Sequence, residues 1–214
     1  MDTPEEATAY DAMDHAQVNA AFVDRLLALG ARGRMLDIGT GPGHIPLLVV
    51  ERSADCTVLA IDLSPAMLAI AERRRAASPH RDRVELLLGD AKGLELADGS
   101  FDAVFSNTIL HHMTDPAPFL REAARVLRPG GVLLIRDLFR PASEAEVDRL
   151  VATHAASAGP AGQSLLRASL CAAFTPAELR ALADQCGLSA ADLVVDSDRH
   201  MSLQIAASYR EHQE

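Results

Sequence analysis

The segment Met35-Leu36-Asp37-Ile38-Gly39-Thr40-Gly41-Pro42-Gly43-His44 constrains this chain more than any other. A short aliphatic run reads as a strand, and three alternating glycines follow it directly. Glycine adopts positive φ without penalty and lets other groups approach the main chain closely. Residues 43–52 then carry a helical pattern. The chain must pass from a buried strand into a helix through a tight, bare turn. In open α/β sheets such turns lie at the carboxyl ends of the strands, where ligands bind.

The rest of the sequence repeats this unit. Aliphatic runs bounded by Gly, Asp or Ser occupy 34–38, 57–61, 84–88, 101–106 and 131–137, and helical patterns fill 43–52, 65–77 and 116–127. Ser64-Pro65 and Asp115-Pro116 read as helix starts, with a capping side chain before a proline. Leu127-Arg128-Pro129-Gly130-Gly131 reads as a stop. Strand–helix alternation predicts right-handed crossovers and a mainly parallel, doubly wound α/β sheet with helices on both faces. The runs are apolar on both faces, as a doubly covered sheet requires. Residues 5–29 predict one or two amphipathic helices, and 143–186 is alanine-rich and helical, its last helix opened by Thr175-Pro176 and closed by Gly187. Residues 193–195 and 202–207 predict a terminal pair of strands.

The 214 residues, 49% of them hydrophobic, suit one domain with its own core. No apolar run reaches the roughly 18–20 residues of a membrane span. The acidic N-terminal segment lacks the layout of a signal peptide, so a cytoplasmic, membrane-free location is expected. A net charge of −10 argues against broad nucleic-acid binding. Arg73, Arg74 and Arg75 are read as a solvated helix face. Three cysteines without C-x-x-C spacing predict neither a disulfide framework nor structural zinc, and Cys171, among alanines, is read as core.

Polar groups recur where the other strands end. Asp62 closes the second strand about 20 residues after the glycines, where a carboxylate can accept from both ribose hydroxyls. Asp90, followed by Ala91, ends the third strand, and Asn107 follows the fourth. Asp after a strand is also a common turn former. Four successive strand ends with such residues point to one ligand-binding rim.

LDIGTGPG, AIDLSPAMLAIA, LLLGDAKGLELADGSFDAVFSNTILHH and ARVLRPGGVLLIRD together resemble the successive motifs of class I S-adenosylmethionine-dependent methyltransferases, nearest the small-molecule "type 11" branch. The resemblance runs over residues 34–137. It implies a Rossmann-like, seven-stranded sheet whose last strand is antiparallel, with the C-terminal pair at 191–207. By it, Gly39, Thr40, Gly41 and Gly43 would line the methionine part of S-adenosyl-L-methionine. Asp37 would support its ammonium, Asp62 would hold the ribose, Leu63 and Met67 would lie against the adenine, Asp90 and Ala91 would meet the adenine edge, and the Asn107 backbone would flank the methionine. The product would be S-adenosyl-L-homocysteine. The expected layout is N-terminal lid helices at 1–30, a cofactor core at 34–137, a helical substrate-side insertion at 138–190 and the strand pair at 191–214. A nicotinamide dehydrogenase would instead show G-x-G-x-x-G. G-x-G-x-G with Asp37 before it, and Asp90 as well, favour the methyl donor.

Methyl transfer is an in-line displacement, so positioning and exclusion of water dominate, and a base is needed only for an acceptor that must lose a proton. His111 and His112, after the fourth strand, are acceptor-side candidates, as is His200, preceded by Arg199. The plainer readings are loop packing for the first two and a polar hairpin turn for 196–200. Arg140 is read either as an anion binder or as the partner of a nearby acid. Tyr10 or His15 would touch the methionine carboxylate or the acceptor from the lid, and 143–172 would form the opposite wall. Ser106-Asn107 stands where metal-using relatives place carboxylates, so no metal is expected. The expected partner is a small-molecule methyl acceptor, on a monomer or homodimer. A protein or RNA acceptor, and a non-catalytic cofactor-binding sensor, are the alternatives.

Overall fold

A computed structural model of the chain describes residues 3–11 and 16–208. Two helices, α1 (Pro4–Asp11) and α2 (Ala16–Ala28), precede the sheet. The core then alternates: β1 (Gly33–Ile38), α3 (His44–Arg52), β2 (Cys56–Asp62), α4 (Pro65–Ala77), β3 (Val84–Leu88), β4 (Phe101–Asn107), α5 (Ala117–Val126) and β5 (Leu127–Leu138). Three helices follow, α6 (Glu144–His154), α7 (Gly159–Ala172) and α8 (Pro176–Gln185), and the hairpin of β6 (Asp192–Val195) and β7 (His200–Ile205) closes the fold.

The seven strands form one sheet in the order β3-β2-β1-β4-β5-β7-β6. β1 to β5 are parallel, and β7 runs antiparallel to both neighbours. This is the doubly wound, Rossmann-like sheet that the alternation and the family resemblance predict. Order reverses between β1 and β4, so the glycine turn after β1 lies at the topological switch point.

Alternate strand residues divide the core into two layers. Leu36, Ile38, Val104, Leu133, Ile135 and Leu203 pack against Phe119, Leu120 and Ala123 of α5 and Leu179 and Ala183 of α8. Met35, Ala103, Phe105, Val132 and Leu134 pack against Phe22, Val23 and Leu26 of α2 and Val49 and Val50 of α3. A third cluster joins Leu138 to α6 and α7.

Local chemistry sets the element ends. The Ser64 hydroxyl accepts from the Met67 amide at 3.3 Å ahead of Pro65, and Thr175 and Glu178 form a reciprocal capping box ahead of Pro176. Asp115 accepts from the Ala117 amide at 3.0 Å, one residue further out than a standard cap, because Pro116 takes the cap position. The predicted stop at 127–131 ends α5 but does not delay the strand: β5 begins at Leu127, and the register with β4 shifts between Phe101 and Ala103. Glycine is required there, since a Cβ on Gly131 would lie 2.8 Å from the Asp102 carbonyl oxygen. Arg74 departs from the expected solvated face, for it reaches Asp11 of α1 at 2.7 Å. Cys171, expected in the core, is exposed on α7.

Candidate functional site

The turn after β1 is built from main chain. The amides of Gly39 and Thr40 both donate to the Ile61 carbonyl of β2, at 2.8 and 2.9 Å, which ties the turn to the neighbouring strand. Gly39, Gly41 and Gly43 have φ of 78°, 55° and 79°. They serve different ends. A Cβ on Gly39 would meet Ile109 side-chain atoms at 2.8 Å, and one on Gly43 would meet the Ala71 Cβ of α4 at 3.0 Å. A Cβ on Gly41 would meet nothing within 4 Å, so its bare main chain faces open space.

Two carboxylates flank this turn. Asp62 receives the Gly41 amide on Oδ2 at 2.7 Å and the Ser64 amide on Oδ1 at 2.8 Å, and it stays partly open to solvent. Asp37 is 2% exposed, and its Oδ2 has no hydrogen-bond partner; the Thr40 hydroxyl, 7% exposed, is likewise unpartnered. Burial pushes the Asp37 carboxyl up to about 7; the nearby Thr40 side chain opposes this and the Asp62 charge adds to it. A buried carboxylate with an unused oxygen is costly unless a cation or donor arrives to meet it. Together with the open space over Gly41, this fits a ligand carrying a cationic group.

The β2 and β3 tips supply apolar surface. Leu63 is 64% exposed, and Leu88, which pairs with Asp62 across the strands, is 56% exposed. Asp90 is exposed and accepts from the Lys92 amide at 2.9 Å, and Ala91 packs partly against the core. Met67 is buried beneath α1, with Ala7 and Ile70, and Tyr10 packs on the same cluster. The Tyr10 phenol lies beside Thr108 and Asp62: burial pushes it up, the Thr108 hydrogen bond lowers it, and the Asp62 charge raises it. Helix α1 therefore lies across the rim. Asp11 pins it there, paired with Arg74 and with His44 Nε2 at 3.1 Å. His15 lies outside the described residues.

Beyond β4 the chain bends sharply. Thr108 is the described non-glycine residue with positive φ, at 61°. Its amide donates to the Arg136 carbonyl at 2.8 Å. The Asn107 side-chain oxygen accepts from Arg136 Nε at 2.9 Å, and its carbonyl oxygen accepts from the Thr108 hydroxyl at 2.7 Å. In the short turn Leu110–His112, His111 Nδ1 sits 2.6 Å from Asp137 Oδ1, both side chains almost fully buried. Asp137 also receives the amides of Leu110 and Leu138, which fixes its carboxylate at the β5 tip. The His112 ring centroid lies 4.0 Å from that of His111, the planes tilted by 42°; desolvation first, then the His111 charge, pushes it down to about 4. Helix α7 packs on this turn.

The remaining candidates are engaged by other partners. His200 is buried in the β6–β7 hairpin, with Nδ1 3.0 Å from the Ser197 hydroxyl. Burial and the charges of Arg136 and Arg199 push it down to about 3, so it is a neutral hairpin residue. Arg140 is paired with both oxygens of Glu178 on α8, the second of the two roles read from sequence. Sequence reading missed Leu88, Thr108, the Asp11–Arg74 clasp and Arg136. Only Arg136 left a signal, as a charge inside an otherwise aliphatic strand.

A methyltransferase-domain family matches residues 36–135. An uncharacterized 37.1 kDa protein encoded in a transposon of Streptomyces fradiae is 33% identical over 220 aligned positions, covering 96% of this chain and 63% of that protein. The 27-O-demethylrifamycin SV methyltransferase of Amycolatopsis mediterranei is 37% identical over 62% of this chain and 49% of its own. The chain thus spans about half to two-thirds the length of these curated relatives. Among solved structures, a SAM-dependent methyltransferase of Aquifex aeolicus superposes with a TM-score of 0.70 at 18% identity, over 95% of this chain and 98% of that one, a likeness of fold. Matched in sequence at residues 36–135, the segment that carries the glycine turn, Asp37 and Asp62, the chain carries a methyltransferase domain, and it shares the fold of that solved structure across nearly its whole length.

Proposed function

We propose that the chain transfers a methyl group from S-adenosyl-L-methionine to a small-molecule acceptor and releases S-adenosyl-L-homocysteine. The observation that carries this reading is the buried, unpartnered Oδ2 of Asp37 beside a glycine turn that is open above Gly41. Such a pair suits an α-amino acid moiety, its ammonium toward Asp37 and its atoms against the Gly39–Gly43 main chain. The Thr40 hydroxyl offers a second unused polar atom. Asp62 holds the ribose hydroxyls, since each oxygen already accepts one amide and keeps a further lone pair. Leu63 and Leu88 cover the adenine, with Met67 below, and Asp90 and Ala91 at its edge. Tyr10 closes the rim from α1.

S-adenosyl-L-methionine brings a methyl group already activated on a sulfonium. What remains for the protein is alignment, exclusion of water and the acceptor's proton. His111 takes that proton at Nε2. Asp137, 2.6 Å from Nδ1, holds the ring in the tautomer that donates to it and leaves the lone pair on Nε2. Asp137 then stabilises the imidazolium. Helices α6 and α7, packed on the β5 tip and on the histidine turn, form the acceptor's wall. The small-molecule reading draws support from the Amycolatopsis relative, whose name gives 27-O-demethylrifamycin SV as its substrate.

The test incubates the full chain with S-adenosyl-L-methionine and a panel of small hydroxylated, amino and thiol compounds, and measures S-adenosyl-L-homocysteine release. Acceptor-dependent release supports the proposal. Tight donor binding without release for any acceptor class, including protein and RNA fractions, would mark a sensor instead.

A further inference from the structure

Arg136 is a buried cation with donors to spare. It sits on β5 at 9% exposure, beneath α2, with its guanidinium carbon 5.0 Å from the Phe22 ring centroid. Nε–H donates to the Asn107 side chain at 2.9 Å, and one Nη2–H donates to the Val18 carbonyl at 3.3 Å. A guanidinium carries five N–H donors, so three have no described acceptor. No carboxylate lies within ion-pair distance of Arg136 among the described residues. Removing a full charge from water without a counter-charge costs several kcal/mol.

The surroundings supply that counter-charge only from beyond contact. Asp196 is the carboxylate that acts on Arg136, from beyond contact, while Arg199 repels it. Asp196 also faces Arg25, which is itself bonded to the neutral Gln204 side chain at 3.0 Å. Asp198 is engaged by His154 at 2.9 Å, with Arg149 and Arg199 just beyond. Arginines 25, 136, 149 and 199 thus gather around two aspartates, in a chain whose net charge is −10. The guanidinium is fixed to Asn107, at the tip of the strand that borders the glycine turn, and it faces α2.

We infer that the methyl acceptor carries an anionic group, a carboxylate or a phosphate, and that Arg136 receives it through its unused N–H donors. The inference rests on the methyl-transfer reading for the identity of the ligand, but not for the presence of an anion site. A planar guanidinium suits two-point contact with either oxyanion. Arg140, the arginine that the sequence suggested for this task, is committed to Glu178.

The experiment uses the full chain and two probes, sodium benzoate and inorganic phosphate, with chloride adjusted to hold ionic strength constant. Thermal unfolding midpoints are recorded against each probe, and S-adenosyl-L-methionine affinity is measured separately by calorimetry. The wild type should be stabilised by at least one probe by several degrees beyond the chloride control, and the better probe identifies the oxyanion. Arg136→Met should abolish that increment, and Arg136→Lys, which keeps the charge but not the fork, should weaken probe affinity at least fivefold. Donor affinity should stay within about twofold in both variants. Equal increments in wild type and Arg136→Lys, or none in the wild type, would overturn the inference while leaving donor binding to stand. A probe effect without donor binding would instead remove the methyl-transfer reading and keep the anion site.

Discussion

Replacing Asp37 by asparagine removes one negative charge from the floor of the glycine turn with almost no change in shape. The carboxyl is buried and pushed up to about 7, against 3.8 when free. A folded pKa raised above the unfolded one means that the group favours folding below the unfolded value and loses that contribution as pH rises through the folded one. A gap of about 3 units corresponds to about 4 kcal/mol at full ionisation. Without ligand, the stability advantage of Asp37→Asn should therefore be absent below the free value of 3.8, open as pH rises above it, and widen by about 2–3 kcal/mol between pH 5 and pH 8. Urea denaturation at the two pH values, with equal slopes, reads the difference directly. Donor affinity should move the other way, since a charge-assisted hydrogen bond of about 1.5–3 kcal/mol is lost. Denaturation curves of the two proteins that stay parallel from pH 5 to pH 8 would refute the account of Asp37 as a buried, unsatisfied acid.

Other substitutions separate the roles of neighbouring residues. Gly39→Ala should destabilise the fold, because its Cβ runs into Ile109, whereas Gly41→Ala should cost only the backbone strain of about 1–2 kcal/mol yet weaken donor binding, as thermal unfolding and calorimetry will show. Asp62→Ala should lower donor affinity at least tenfold, since it deletes a ribose acceptor and also releases the Gly41 and Ser64 amides. With an acceptor in hand, His111→Ala or Asp137→Asn should lower kcat by about 10²–10⁴ while donor Kd is unchanged, and equal losses in Kd would point to misfolding of the turn instead. His200, pushed down to about 3, favours folding above its unfolded value and loses that contribution as pH falls toward 3; His200→Gln should flatten the acid limb of the stability–pH curve.

The sheet was legible because its signals are local. Aliphatic runs, Ser64-Pro65 and Thr175-Pro176 act within a few residues, and four of the five core strands begin within one residue of their sequence reading. The β5 start was missed because pairing with β4 overrides the apparent break at Pro129 and Gly130, and tertiary contact decides such cases. The polar rim of Asp37, Asp62, Asp90 and Asn107 was legible for a similar reason, as each residue lies at or just past the end of its own strand. Contacts between different strand tips were not. His111 and Asp137 are separated by 26 positions and meet only through the β4–β5 pairing, whereas the polar run 196–200 was legible as the hairpin turn that holds His200. Arg140 and Arg136 differ in sequence only by context, yet one finds Glu178 and the other finds no acid. Sequence reports that a charge exists; only the fold reports whether it is answered.

Calorimetric titration of the full chain with S-adenosyl-L-methionine near pH 7, repeated in buffers of different ionisation enthalpy, tests the central claim most directly. The account predicts one site per chain and release of a fraction of a proton as Asp37 ionises against the incoming ammonium, with the release absent in Asp37→Asn. No binding heat, or binding whose proton release survives in that variant, would contradict it.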